Sequence, residues 1–172
     1  MDCYTSLAGG YDSLTEDVQY EKRAAFLQKL LAKSTIPVHT VLDLACGTGT
    51  MTCLLAEAGY EMIGVDLSED MLSEAAGKPV SPGKIPPIYL QQSMEELDLY
   101  GTVEAAVCCL DSINYLTDAR ALKRALQRLH LFVAPGGVFL FDVNTPCKLR
   151  SLDGQVFLDE REDLYCVWRG GF

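Results

Sequence analysis

The chain has 172 residues, 49% of them hydrophobic, and a formal net charge of −10. That length suits one domain with a sizeable core, and the acidic balance disfavours a nucleic-acid partner, because it repels phosphate backbones. No apolar run approaches ~18 residues and no basic-then-apolar leader opens the chain, so neither a membrane span nor a signal peptide is expected, and the expected location is cytoplasmic.

Residues 1–36 read as a helical cap, ending with a helix from Arg23 to Lys33 whose apolar stripe is Ala25, Phe26, Leu30 and Leu31. Its lead-in carries Tyr4, Tyr11, Asp12, Asp17 and Tyr20. These aromatic residues either cover a sheet edge or form a lid over a ligand. The core is expected over 37–146. An apolar run, Val41-Leu42-Asp43-Leu44, leads into Ala45-Cys46-Gly47-Thr48-Gly49 and then a helix from about Thr50 to Ala58, ended by Gly59. Glycines at 47 and 49 let the backbone turn sharply and approach a ligand closely. The free N–H groups of the following helix favour an electronegative group. A second apolar run, Met62 to Val65, ends at Asp66, where a carboxylate can accept hydrogen bonds from both hydroxyls of a ribose.

Ser68 caps the next helix, which carries Glu69 and Asp70 at the positive end of its dipole and ends near Gly77. Met71 in its first turn is either an adenine contact or a core residue. Lys78 to Pro87 is a proline-rich loop, followed by a third strand, Ile88 to Gln92. The fourth strand, Ala105 to Leu110, is almost wholly apolar, as a parallel strand covered on both faces should be. Cys108 and Cys109 should point to its opposite faces. Asp111, Asn114 and Tyr115 follow at the strand's carboxyl end, where open α/β sheets bind ligands. Asp111 and Asn114 either meet a substrate or help start the next helix, for which Thr117 or Asp118 is the cap. That helix, Ala119 to Phe132, has Leu122, Leu126, Leu129 and Phe132 near helical spacing, with Lys123, Arg124 and Arg128 as a solvated face or a local basic patch. His39 and His130 are expected to be ordinary surface residues. Pro135-Gly136-Gly137 reads as a turn opening a fifth strand, Val138 to Val143, with Asn144 at the crevice edge. The seven cysteines show no C-x-x-C pair and no Cys/His spacing, so reduced thiols and no metal site are expected.

A dinucleotide fingerprint would place a third glycine at position 52, where this chain has Thr. Asp43, the Gly47-Thr48-Gly49 loop, Asp66 and the pattern from Leu129 through Pro135-Gly136-Gly137 to Phe139 together resemble class I S-adenosylmethionine-dependent methyltransferases. The resemblance covers roughly Tyr11 to Asn144. It implies a Rossmann-like, doubly wound, mostly parallel sheet with strand order 3-2-1-4-5 and helices on both faces. S-adenosylmethionine is the implied cofactor and S-adenosylhomocysteine its product. The implied cofactor-binding residues are Tyr11, Asp43, Ala45, Cys46, Gly47, Thr48, Gly49, Asp66, Leu67, Met71, Ser93, Met94 and Leu110. Relatives commonly have an acid where Ser93 stands. Asp111, Asn114, Tyr115 and Asn144 are the candidates for positioning a methyl acceptor, with none assigned as a catalytic base.

The family usually adds two more strands, and the residues after Asn144 are too few for that pair and a substrate subdomain together. The chain therefore reads as shortened, with the final antiparallel pair missing. Asp153-Gly154 is a turn signal, and Gln155–Asp159 and Leu164–Trp168 alternate like strands, so residues 147–172 are expected to begin a substrate-side insertion or form a short hairpin, or to pair with a second copy. The expected acceptor is a small molecule. A nicotinamide-dependent oxidoreductase and a catalytically inactive binding module are the competing readings.

Overall fold

The computed structural model describes residues 7–160 and 165–171. Tyr4 and Leu164 lie outside the described residues. The chain divides into two compact units, one ending at Asp142 and one beginning at Val143.

In the first unit, five parallel strands are ordered β3-β2-β1-β4-β5. They are β1 (Thr40–Leu44), β2 (Glu61–Asp66), β3 (Ile88–Gln91), β4 (Val103–Cys108) and β5 (Val133–Phe141). This is the order implied by the resemblance. The alternation of side chains along each strand makes two cores. Val41, Met62, Ala105 and Val107 pack with Leu27 and Leu31 of α2 (Tyr20–Leu31) and Leu55 of α3 (Thr50–Glu57). Leu42, Leu44, Val65, Ala106 and Cys108 face the other way, onto Leu97, Ile113 and Leu129 of α5 (Ala119–Phe132). Cys108 belongs to the second core and Cys109 packs against the first, the opposite facing that adjacency implies.

Local chemistry sets the helix ends. Ser68 Oγ accepts from Met71 N–H to start α4 (Glu69–Gly77), and Asp118 accepts from Arg120 N–H to start α5. Asp118, not Asp111 or Asn114, is therefore the cap of α5.

Several expectations need correction. The buried face of α2 is Ala24, Leu27 and Leu31, while Ala25 and Phe26 are exposed. The helix starts after Gln19, held at φ 57°, and it turns Ala24, Leu27 and Leu31 into the first core. Pro135-Gly136-Gly137 does not open β5 but lies inside it. Val133 pairs with Val103 and pairing resumes between Val138 and Ala105, so residues 134–137 bulge from the ladder. Arg124 and Arg128 are not merely a solvated face: Arg124 pairs with Glu95, and Arg128 with Asp98 and the Leu97 carbonyl. His39 and His130 are exposed.

In the second unit, α6 (Pro146–Ser151) precedes β6 (Val156–Glu160) and β7 (Tyr165–Arg169), which pair antiparallel as a sheet of their own. An antiparallel pair is thus present, contrary to the expectation that it is missing, and the expected hairpin is formed. Among the described residues β5 pairs only with β4.

Candidate active site

The loop between β1 and α3 crosses the carboxyl ends of the central strands, where helix N–H groups and strand ends meet. Gly47 and Gly49 adopt φ +55° and +73°, conformations that cost a side-chain-bearing residue energy. Ala45 nonetheless sits at φ 59°. A Cβ on Gly49 would lie 2.6 Å from Tyr89 Oη and 2.8 Å from Ala75 Cβ. The Tyr89 ring also lies across Gly64, where a Cβ would fall 2.6 Å from it. The loop therefore packs on Tyr89 and Ala75, and the Ala75 methyl leaves no room for a Cβ at position 49.

Two adjoining chambers open along this loop. The larger, about 320 Å³, is bounded by Val65 and Asp66 at the end of β2 and Leu67 and Ser68 after it, by Met71 of α4, and by Gln92 to Glu95 after β3. Tyr115 and Leu116 close it on the side of β4. The smaller, about 40 Å³, lies over Asp43, Cys46, Thr48 and Thr50, with Tyr20, Cys109 and Leu110 around it. Tyr11, Ala45, Gly47 and Ser112 line both and form their junction.

Asp66 holds the junction in shape. Its Oδ2 accepts from Gly47 N–H at 2.8 Å and its Oδ1 from Ser68 N–H at 2.9 Å. A carboxylate has about four lone-pair sites, so each oxygen keeps capacity toward the larger chamber. Asp43 is buried, and its Oδ2 accepts from Thr52 Oγ1 at 2.6 Å. Burial, together with the charge of Asp66, pushes its carboxyl up to about 6, against the lowering effect of the Thr52 bond. Thr52 thus occupies the position of the absent third glycine and serves Asp43. Tyr11 is raised above its ordinary range by burial, with Tyr20, Tyr115, Asp111 and Asp66 adding to the effect, so its hydroxyl stays protonated well past neutral pH. Burial raises Cys46 and Cys109 likewise, and neither is a thiolate nucleophile. No Lys, Arg or His lines either chamber among the described residues.

Most of the sequence-derived residues converge here. Tyr11, Ala45, Gly47, Asp66, Leu67, Met71, Ser93, Met94 and Tyr115 line the larger chamber, and Asp43, Cys46, Thr48 and Leu110 the smaller. Gly49 faces Tyr89 and lines neither. Asp111 and Asn114 line neither chamber either. Asp111 N–H donates to Asp142 Oδ2 at 3.0 Å, and Asn114 N–H donates to the Asp111 carbonyl at 2.8 Å, closing a turn. Asn144 belongs to the second unit. Sequence reasoning missed Ser112, Gln92 and Glu95, although each adjoins a residue it singled out. Among the described residues there is no group of His, Cys, Asp and Glu able to hold a metal, and no helix is long and apolar enough to cross a membrane.

A doubly wound sheet, glycines turning at the end of its first strand and a carboxylate ending its second define a fold that binds an adenosine-containing cofactor at its switch point. The chain belongs to the methyltransferase domain family, whose model matches residues 41–137. It is 35% identical over 168 residues to YqeM of Bacillus subtilis, itself assigned as a methyltransferase, covering 96% of this chain and 66% of that one. A crystal structure of an S-adenosylmethionine-dependent methyltransferase from Clostridium acetobutylicum matches with TM-score 0.82 and 32% identity, over 99% of this chain and 70% of that one. The sugar N-methyltransferase KedS8 from Streptoalloteichus matches with TM-score 0.76 and 26% identity, over 91% and 63%. The chain thus spans about two thirds of the length of these relatives. The cofactor of this family is S-adenosylmethionine, on which the Clostridium relative depends by name. The chambers suit it: Gly47 lines both, carboxylates stand at two strand ends, and among the described residues no lining cation repels its sulfonium or ammonium.

Proposed function

We propose that this chain transfers the methyl group of S-adenosylmethionine to a small-molecule acceptor. The observation that carries the reading is the pair of chambers joined at Tyr11, Ala45, Gly47 and Ser112. One is large enough for a nucleoside and ends on Asp66; the other is small, acidic and roofed by Tyr11.

When bound, the cofactor supplies a methyl carbon already activated by a positive sulfur. The protein's own work is binding, orientation and exclusion of water, worth up to ~7–11 kcal/mol in favourable cases. Asp66 orients ribose hydroxyls while keeping the Gly47 and Ser68 N–H groups fixed. Asp43 supplies negative charge above its raised pKa, where an ammonium and a sulfonium are both favoured. Tyr11 offers a protonated hydroxyl at the junction, suited to a carboxylate. Ser112 and Tyr115 stand between β4 and the larger chamber and position the acceptor. Ser93 and Glu95 border the adenine end.

An amine is the favoured acceptor class. Carboxylates and tyrosines surround the crevice with no lining cation, and KedS8 is by name a sugar N-methyltransferase. Calorimetric titration tests the reading. S-adenosylhomocysteine should bind with micromolar affinity and NADH should not, and a labelled methyl group should pass to a member of a panel of amines, amino sugars included. Binding of NADH alone would assign an oxidoreductase instead. Homocysteine-nucleoside binding without transfer to any amine, hydroxyl or carboxyl acceptor would leave an inactive binding module.

A further inference from the structure

Beyond the chambers, one constellation ties α1 (Ala8–Leu14), which carries Tyr11, to the glycine loop. Asp12 is its centre. Its Oδ1 accepts from Thr48 Oγ1 at 2.6 Å and Thr50 Oγ1 at 3.1 Å, and its Oδ2 lies 2.6 Å from Lys78 Nζ. Lys78 also donates to Thr50 Oγ1 at 2.5 Å. Three segments far apart in sequence meet on one carboxylate: the N-terminal helix, the cofactor loop and the end of α4. The Asp12 carboxyl is held below its usual range, because Lys78 and the two threonine hydroxyls outweigh its partial burial.

Neither Asp12 nor Lys78 lines either cofactor chamber. Their neighbours do. Tyr11, one residue from Asp12, lines both chambers at their junction, and Thr48 is buried in the wall of the smaller chamber. Hydrogen bonds to charged groups are stronger than neutral ones, and their loss leaves the partner unpaired.

We infer that Asp12 and Lys78 form a latch that fixes Tyr11 over the junction of the two chambers, and that opening this latch controls exchange of the cofactor and its product. Asp12 is a positioning residue, since it touches neither chamber. The inference rests on the reading of the crevice as the S-adenosylmethionine site. A latch of this kind sets residence time more than intrinsic affinity, because a swinging roof admits and releases the ligand by the same path.

Surface plasmon resonance with the whole chain immobilised and S-adenosylhomocysteine as analyte tests it. Asp12→Asn and Lys78→Met should each raise the dissociation rate about tenfold, with a smaller change in Kd because association quickens too. The double variant should exceed neither single one, since both remove the same latch. Lys78→Met changes a side chain outside both chambers, so it keeps the test alive if Asp12→Asn folds poorly. Dissociation rates within about twofold of wild type for the folded variants, or strictly additive effects, would overturn the latch. Wild-type chain that binds no S-adenosylhomocysteine would overturn both the latch and the site; wild-type binding lost in Asp66→Ala, with unaltered rates in the latch variants, would overturn the latch alone.

Discussion

Gly49→Ala and Gly47→Ala should differ sharply, although the two glycines are neighbours in one loop. Both have positive φ, so either alanine costs roughly 1–2 kcal/mol of backbone strain. A Cβ at position 47 meets nothing within 4 Å, whereas one at position 49 would lie 2.8 Å from Ala75 Cβ and 2.6 Å from Tyr89 Oη. The tyrosine hydroxyl can swing aside; the alanine methyl is fixed to α4 and cannot. Overpacking of this kind adds about 1–3 kcal/mol. At roughly 2–4 °C per kcal/mol for a chain of this size, Gly49→Ala should melt ~2–12 °C below Gly47→Ala. Thermal unfolding of the ligand-free variants by circular dichroism reads this directly. Adding Tyr89→Phe to Gly49→Ala should return part of the loss and leave the Ala75 contact. Equal midpoints, or a lower one for Gly47→Ala, would refute the claim that Tyr89 and Ala75 dictate glycine at position 49.

Asp43 makes a pH prediction. Its folded pKa, near 6, is raised by burial, so the folded state holds this proton more tightly than the unfolded chain. Its contribution to stability is therefore intact below about pH 4 and falls by ~3 kcal/mol as pH rises to about 6. Asp43→Asn should flatten this segment of a melting-temperature profile and weaken S-adenosylhomocysteine binding at pH 8. Asp66→Ala should raise the Kd for S-adenosylhomocysteine at least about tenfold by calorimetry, since it frees two backbone N–H groups and the ribose contact together. Arg128→Ala removes the ties to the Leu97 carbonyl and Asp98 and the contact over the Phe132 ring. It should cost about 1–2 kcal/mol in urea unfolding and weaken the adenine end of the site.

The individual strands and the glycine loop were legible because they depend on local chemistry, whereas the sheet order came only from the family resemblance. Apolar runs of strand length, glycines after a strand and acids at strand ends carry their meaning within a few residues. Ser68 as a cap was legible for the same reason. The latch on Asp12 was not, since Thr48 and Lys78 reach it only after three elements have packed. The Arg124 and Arg128 braces were hidden equally, because a basic helix face looks the same whether water or Glu95 and Asp98 cover it. The buried face of α2 was missed because Ala24, Leu27 and Leu31 and the Ala25, Phe26, Leu30 set both fit a helical stripe, and only packing against α3 and the sheet decides between them. Pro135-Gly136-Gly137 was read as a turn since bulges and turns share one composition.

Leu110 and Asp111 follow one another at φ 56° and 51°, where side chains are disfavoured and glycine is at ease. An engineer seeking heat resistance would choose these positions first, and glycine there should indeed toughen the chain. Yet Leu110 walls the smaller chamber and Asp111 is anchored by Asp142. The easiest gain in robustness therefore lies where it would slacken the wall of the smaller chamber, so tougher descendants of this chain should be screened for turnover before their melting points are admired.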